Sequence, residues 1–339
     1  MSENFKKPTL EDLIGKNETI KEKEQKITID GDIFVTTWTY TDSSCECLKP
    51  PVIALHGGPA FTHNYMLPLK LLALSGYPVI FYDQAGCGES FQVEDVEKET
   101  PQLLTIEYYV NELQTIVDEL VGKKKPFYIC GSSWGTVLAQ EFALTCPAGL
   151  CGMILDGALC DSKTYIETQK KDVLKTIPEY TLKRLEILEK EKAYESEEYK
   201  MIEDYLSSQF TCRLQPRPDF WDVCIAQQNK TIYKLMQGPS EFTIQGVLEN
   251  WSVREKNSQV RTPALVLAGE FDTMSQRCHE EVARSLPCAW PVVTVPRAAH
   301  CKLIDAPFVC CREIVKFLET IESIRLCTLN SNQDNNCQN

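Results

Sequence analysis

The stretch that decides the fold is Phe127-Tyr128-Ile129-Cys130-Gly131-Ser132-Ser133-Trp134-Gly135-Thr136-Val137-Leu138-Ala139. Phe127 to Cys130 is an apolar run that reads as a buried strand, and from Val137 the apolar residues recur at helical spacing. Ser133 stands between them with a glycine two residues before and two after. A nucleophile on so tight a strand-to-helix turn needs small neighbours, because a Cβ there would strike adjacent backbone. The turn also lifts the hydroxyl to the sheet edge, beside the positive end of the helix. The five-residue pattern alone is weak, and an ordinary glycine-serine turn is the alternative. The strand before it and the helix after it make Ser133 a candidate nucleophile.

Outward from this turn, short apolar runs ending in Gly, Pro or Asp repeat along the chain. Strands are expected at 26–29, 33–40, 51–55, 78–83, 126–130, 152–156, 263–268 and 291–295, with helical patterns at 65–75, 105–121, 134–145, 276–286 and 306–321. Strands alternating with helices predict an α/β fold with a mostly parallel sheet covered on both faces and a possible antiparallel start. The alternation stops between about Ala158 and Gln259, where Glu, Lys, Tyr and Leu recur at helical spacing. A helical cap between strands six and seven is expected, leaving the sheet at the edge where α/β sheets bind ligands. The 339 residues thus divide into an N-terminal extension (1–26), a core (27–157 and 260–325), a cap (158–259) and a polar, disordered tail (326–339).

Composition excludes several classes of function. Lys and Arg number 35 against 48 Asp and Glu, a formal charge of -13 that a phosphate backbone would repel. No apolar run is long enough for a membrane span, and residues 1–26 lack the apolar core of a secretory signal. The 16 cysteines are scattered and lack zinc spacing, so they read as reduced, mostly structural thiols of a cytoplasmic protein. Neither nucleic acid nor membrane is expected as a partner, and the oligomeric state is not fixed.

Serine needs a base, and the histidines are His56, His63, His279 and His300. His300 follows the last apolar run and a short loop, which places it at the same sheet edge as Ser133. The acid that orients the imidazole is expected in Gly269-Glu270-Phe271-Asp272, after the seventh strand. The order Ser133, Asp272, His300 is the one this architecture calls for. Asp156, ending the sixth strand, is the competing acid, although a structural strand-end carboxylate is the preferred reading. Glu270 reads as a turn residue. Two backbone N–H donors must hold the oxyanion: Trp134, directly after the nucleophile, and Gly58 in the loop His56-Gly57-Gly58-Pro59-Ala60. No metal or organic cofactor is required.

With these residues in view, the chain resembles the α/β-hydrolase superfamily and, within it, the proline iminopeptidase family of serine peptidases. The resemblance runs from about residue 27 to 321 and is carried by His56-Gly57-Gly58-Pro59, Asp83-Gln84-Ala85-Gly86-Cys87-Gly88-Glu89-Ser90, the Ser133 turn, Gly238-Pro239-Ser240-Glu241-Phe242 and Gly269-Glu270-Phe271-Asp272. It implies an eight-stranded α/β-hydrolase sheet and a serine aminopeptidase that releases an N-terminal residue, preferentially proline. It also implies that Glu241 holds the substrate's free ammonium group; without the motif, a solvated helix glutamate would be the reading. Two departures bear on specificity. Thr273 stands where some members carry a second glutamate, and Ala60 where glycine is usual. The rival readings are an amino-acid amidase or carboxylesterase with the same residues, and a ligand-binding protein that kept the fold without turnover.

Overall fold

The computed structural model describes residues 6–336. An eight-stranded sheet runs through it: β1 Ile20–Asp30, β2 Ile33–Asp42, β3 Val52–Leu55, β4 Val79–Tyr82, β5 Phe127–Ser132, β6 Leu150–Asp156, β7 Ala264–Gly269 and β8 Val293–Val295. The spatial order is β1-β2-β4-β3-β5-β6-β7-β8. β1 and β2 pair antiparallel, as do β2 and β4, and every later pair is parallel. This is the α/β-hydrolase sheet with an antiparallel start.

Burial explains why the inner strands were legible. Every residue of β3, β4, β5 and β7 is buried, so they appear in the sequence as unbroken apolar runs between two covered faces. One hydrophobic cluster, including Ile53, Ile129, Leu138 and Val266, covers one face, and a second, including Val52, Tyr128, Leu267 and Phe317, covers the other.

Two boundaries differ from the sequence reading. β1 begins at Ile20, inside the expected extension, and its first turn of sequence is Lys21-Glu22-Lys23-Glu24. It is an edge strand paired only with β2, and charges on such an edge deter pairing with other chains. They also erase the apolar alternation by which strands are recognised. At the other end, the helix Pro307–Asn336 continues through positions expected to be disordered; residues 337–339 lie outside the described residues.

Between β6 and β7 the chain forms helices at Ser162–Thr168, Glu179–Lys190, Glu197–Phe210, Asp219–Gln227 and Lys230–Met236. Part of this segment has a core of its own, in which Leu185, Leu188, Tyr199, Leu206 and Phe210 pack with Phe242. That small core lets the segment hold a shape above the sheet and fixes Phe242, the neighbour of Glu241. The segment is tied to the last loop of the sheet by His300 N–H donating to the Phe210 carbonyl at 3.0 Å and Cys301 N–H to the Thr211 carbonyl at 2.7 Å. Among the described residues, no helix is long and apolar enough to cross a membrane.

Candidate active site

Ser133 occupies the turn between β5 and the helix Trp134–Leu144 with φ 56° and ψ -119°, a left-handed region that costs a side-chain-bearing residue about 1 kcal/mol or more. A serine at a helix start ordinarily turns its hydroxyl onto an N–H of the first turn. Here the non-extended backbone leaves that cap unmade. The turn is held instead by its backbone, with Ser133 N–H donating to the Asp156 carbonyl at 2.9 Å. Both flanking glycines are required: a Cβ on Gly131 would lie 2.2 Å from the Gly135 carbonyl oxygen, and one on Gly135 would lie 2.0 Å from that of Leu55.

His300 and Asp272 come together as expected. His300 Nδ1 donates to Asp272 Oδ1 at 2.7 Å, and the buried Nε2 makes no hydrogen bond among the described residues. The imidazole packs on Gly157, the residue after Asp156, so closely that a Cβ there would come within 2.6 Å of Cε1. Burial acts to lower the His300 pKa, but the Asp272 carboxylate outweighs it and leaves the ring above its usual value. Burial likewise acts to raise Asp272, but Lys302 and His300 hold it well below the carboxylate range. Asp156, the competing acid, has Lys302 Nζ 3.0 Å from its Oδ1, and it is Asp272 whose carboxylate meets the His300 ring. Glu270 is more than a turn residue, since its Oε2 accepts from Arg297 N–H at 2.7 Å and steadies the loop that carries His300.

The other histidines serve the frame. His56 donates from Nδ1 to the Gly57 carbonyl and accepts at Nε2 from Gln84 N–H, each at 2.9 Å; burial pushes its pKa down to about 4. Gln84 in turn accepts from the Trp134 indole at 2.9 Å. The Asp83-Gln84 motif thereby links the loop containing Gly58 to the helix after Ser133. His63 donates to Asp83 Oδ1 at 2.9 Å. His279 Nε2 lies 3.6 Å from Asp272 Oδ2, and burial holds it near 4.

Ser133, Trp134 and Gly58 line one cleft, walled by Val137, Leu159, Ile244, Leu248, Trp251 and Met274 with the polar Ser162 and Gln237 among them. Trp134 is the first residue of its helix, where backbone N–H groups have no partner within the helix. Gly58 has φ 115° and Ala60 φ 60°, so Ala60 keeps the left-handed backbone that a glycine there would adopt without strain. Glu241 lines the cleft from the cap side. Tyr165 donates to its backbone oxygen at 2.9 Å and to its Oε1 at 3.3 Å. Thr273, the residue of the first departure, donates to the same Oε1 at 3.5 Å. Burial pushes Glu241 above its usual pKa, against a smaller pull from His300.

The family model described as "Serine aminopeptidase, S33" matches residues 47–237, more than half of the chain. The chain belongs to this family. Proline iminopeptidases of Thermoplasma volcanium and Heyndrickxia coagulans are 32% and 31% identical to it, over 72% and 80% of this chain and 80% and 91% of theirs. A crystal structure of the proline iminopeptidase of Mycobacterium smegmatis superposes with a TM-score of 0.81 at 26% identity, covering 89% of this chain and all of the other. The protein is a serine hydrolase on the α/β-hydrolase fold.

Sequence reasoning missed two residues of the site. Tyr165 lies in the cap, where nothing in Asp161-Ser162-Lys163-Thr164-Tyr165 marks it as a partner of Glu241. Lys302 follows His300 by two residues and looks like a surface lysine in the first turn of a helix, yet it is wholly buried. A lysine that close to a candidate base was the available signal.

Proposed function

We propose that the protein is a serine aminopeptidase that releases an N-terminal residue, preferentially proline, from small peptides through an acyl-enzyme. Ser133 attacks the carbonyl of the first residue while His300 Nε2 takes its proton. The N–H groups of Gly58 and Trp134 hold the oxyanion, and His300 then protonates the leaving amine before water reverses the sequence. Asp272 keeps the Nδ1 proton in place and stabilises the imidazolium.

The observation that carries this reading is Glu241 in the same cleft as Ser133, with hydroxyls of Tyr165 and Thr273 as its polar neighbours. A carboxylate whose pKa is raised by burial gains most when a cation reaches it, and a protonated proline nitrogen is such a cation. Beside Glu241 the cleft carries the apolar side chains Val137, Leu159, Ile244, Leu248, Trp251 and Met274, against which the ring of a proline would pack. A cytoplasmic site of action accords with the many cysteines, whose thiols at Cys87, Cys130, Cys278 and Cys301 are pushed up by burial into the inert range.

The test compares turnover of a prolyl anilide bearing a free amine with its N-acetylated counterpart, using Ser133→Ala as blank. Only the free amine is cleaved, and Glu241→Gln lowers its kcat/KM about 10²-fold, the order expected for losing one charged hydrogen bond. Equal cleavage of both substrates would make the protein a general amidase or esterase. Turnover by Ser133→Ala would overturn the mechanism itself.

A further inference from the structure

Lys302 opens the short helix Lys302–Asp305 directly after the His300 loop, and its side chain is fully buried. An ammonium has three protons to donate; here two go into hydrogen bonds, to Asp272 and to the His300 carbonyl, and Asp156 stands beside it as an ion-pair partner. Nζ lies 2.8 Å from Asp272 Oδ2, 3.0 Å from Asp156 Oδ1 and 3.0 Å from the His300 carbonyl oxygen. The two oxygens of Asp272 are thereby assigned. Oδ1 takes His300 Nδ1 at 2.7 Å and Met274 N–H at 3.0 Å, while Oδ2 takes Lys302 and Gly269 N–H at 3.3 Å.

We propose that Lys302 is a positioning residue of the Ser133–His300–Asp272 site: its ammonium locks the Asp272 carboxylate in the orientation that presents Oδ1 to His300 and offsets the field of two buried carboxylates, so that the imidazole stays neutral enough to act as a base. The inference rests on the triad reading and goes beyond it, since neither the triad nor the amine site requires a lysine there.

A purely structural ion pair is a poor explanation for so buried a group. Removing an ammonium and its carboxylates from water costs about as much as their attraction returns, and apolar replacements of such pairs are often neutral or stabilising. The charge has a second consequence that an apolar residue would not reproduce. The titratable groups facing His300 are Asp272 from the loop after β7, Asp156 from the end of β6, Glu241 from the cap, His279 from the helix Gln276–Ser285, and Lys302 itself. Three of these are carboxyl groups, which favour the imidazolium, and Lys302 is the lysine among them that opposes it. A ring held fully protonated cannot accept the Ser133 proton.

The experiment reads the base without using the amine site. The rate at which a phosphonofluoridate phosphonylates Ser133 is followed against pH in the full-length wild type, in Asp156→Asn and in the double variant Asp156→Asn/Lys302→Met. In this reaction the Ser133 oxygen forms the phosphorus–oxygen bond, fluoride leaves and His300 takes the hydroxyl proton. Asp156→Asn removes a negative charge and leaves Lys302, so the acid limb of the profile moves down. The double variant leaves Asp272 without its ammonium, and the limb moves up by about one pH unit, the lower end of the effect of a neighbouring charge. The double variant removes Asp156 together with its cation and leaves Asp272 with His300 as its remaining partner at 2.7 Å, so a thermal melt is run beside each profile.

Opposite displacements in the two variants support the inference. Acid limbs unchanged from wild type, even with lower maximal rates or melting temperatures, overturn it and reduce Lys302 to packing. Labelling that survives Ser133→Ala would instead overturn the triad reading, and selectivity between free and blocked substrates does not enter this measurement.

Discussion

Replacing Gly135 by alanine tests whether the Ser133 turn is as tightly determined as its backbone indicates. The added Cβ would lie 2.0 Å from the Leu55 carbonyl oxygen, 2.8 Å from its carbonyl carbon and 3.1 Å from the His56 oxygen. All three are backbone atoms, so no side chain can rotate away. The strand that carries Leu55 is hydrogen-bonded to β4 on one side and β5 on the other, which leaves the start of the Trp134–Leu144 helix as the part that must retreat, by about 1.4 Å to bring the 2.0 Å contact to an ordinary 3.4 Å. A misplacement of about 1 Å at a nucleophile costs on the order of 10²-fold in rate, and overpacking of this kind costs about 1–3 kcal/mol of stability. The assay is kcat/KM on a prolyl anilide beside a thermal melt. Gly31→Ala is the control: it sits at φ +53° with nothing within 4 Å of the new Cβ, and it loses about 1 kcal/mol of stability with turnover unchanged. A Gly135→Ala enzyme that keeps wild-type turnover and melting temperature would refute the steric account of the turn.

Glu112 is buried against the Asp83-Gln84 motif, accepts from Ala85 N–H at 3.0 Å, and is pushed by burial to about 8. Its folded value lies above its unfolded one, so its contribution to stability is complete below about pH 4.5 and is lost as the pH rises through about 8. Glu112→Gln removes that slope, and thermal melts at pH 5 and pH 8 should show the variant gaining on wild type by about 2 kcal/mol or more at the higher pH; parallel curves would refute the assignment. Tyr165→Phe deletes the hydroxyl that holds Glu241, so KM for a free-amine substrate should rise about 5- to 10-fold, with kcat nearly unchanged; a fall in kcat alone would place Tyr165 elsewhere in the reaction. In a thiol-labelling experiment on the native protein, exposed Cys47 and Cys146 should react promptly, whereas buried Cys130 and Cys310 should react only after denaturation.

How much of this was legible depended on where each residue finds its partners. The inner strands could be read because both their faces are covered, which writes burial into the sequence as uninterrupted apolar runs. The start of β1 could not, because an exposed edge strand satisfies its ladder with one neighbour and carries Lys and Glu on nearly every position. The tail after residue 326 is polar by composition, yet helix can continue from the packed part at Pro307, since adding a residue to an existing helix is far easier than nucleating one. Asp272 could be preferred over Asp156 by chain order alone, although both stand at the same sheet edge. Both meet Lys302, and what separates them is that Asp272 also takes the imidazole Nδ1.

The sequence by itself determined the Ser133 turn, since the apolar strand, the spaced glycines and the helix after them all lie in one short stretch of chain, although the backbone that makes Gly135 necessary belongs to Leu55. It likewise determined the positions of Asp272, His300 and Gly58 at strand ends, because alternating strands and helices bring every strand end to one edge. Only the tertiary structure decided which groups stand behind them. Lys302 acquires its meaning from Asp156, which is 146 positions earlier. Glu241 acquires its orientation from Tyr165 and Thr273, which belong to different elements of the chain. Such pairings leave no periodic trace: a buried charge is stabilised by groups the fold delivers from elsewhere, and its own neighbours in sequence resemble those of any solvated residue.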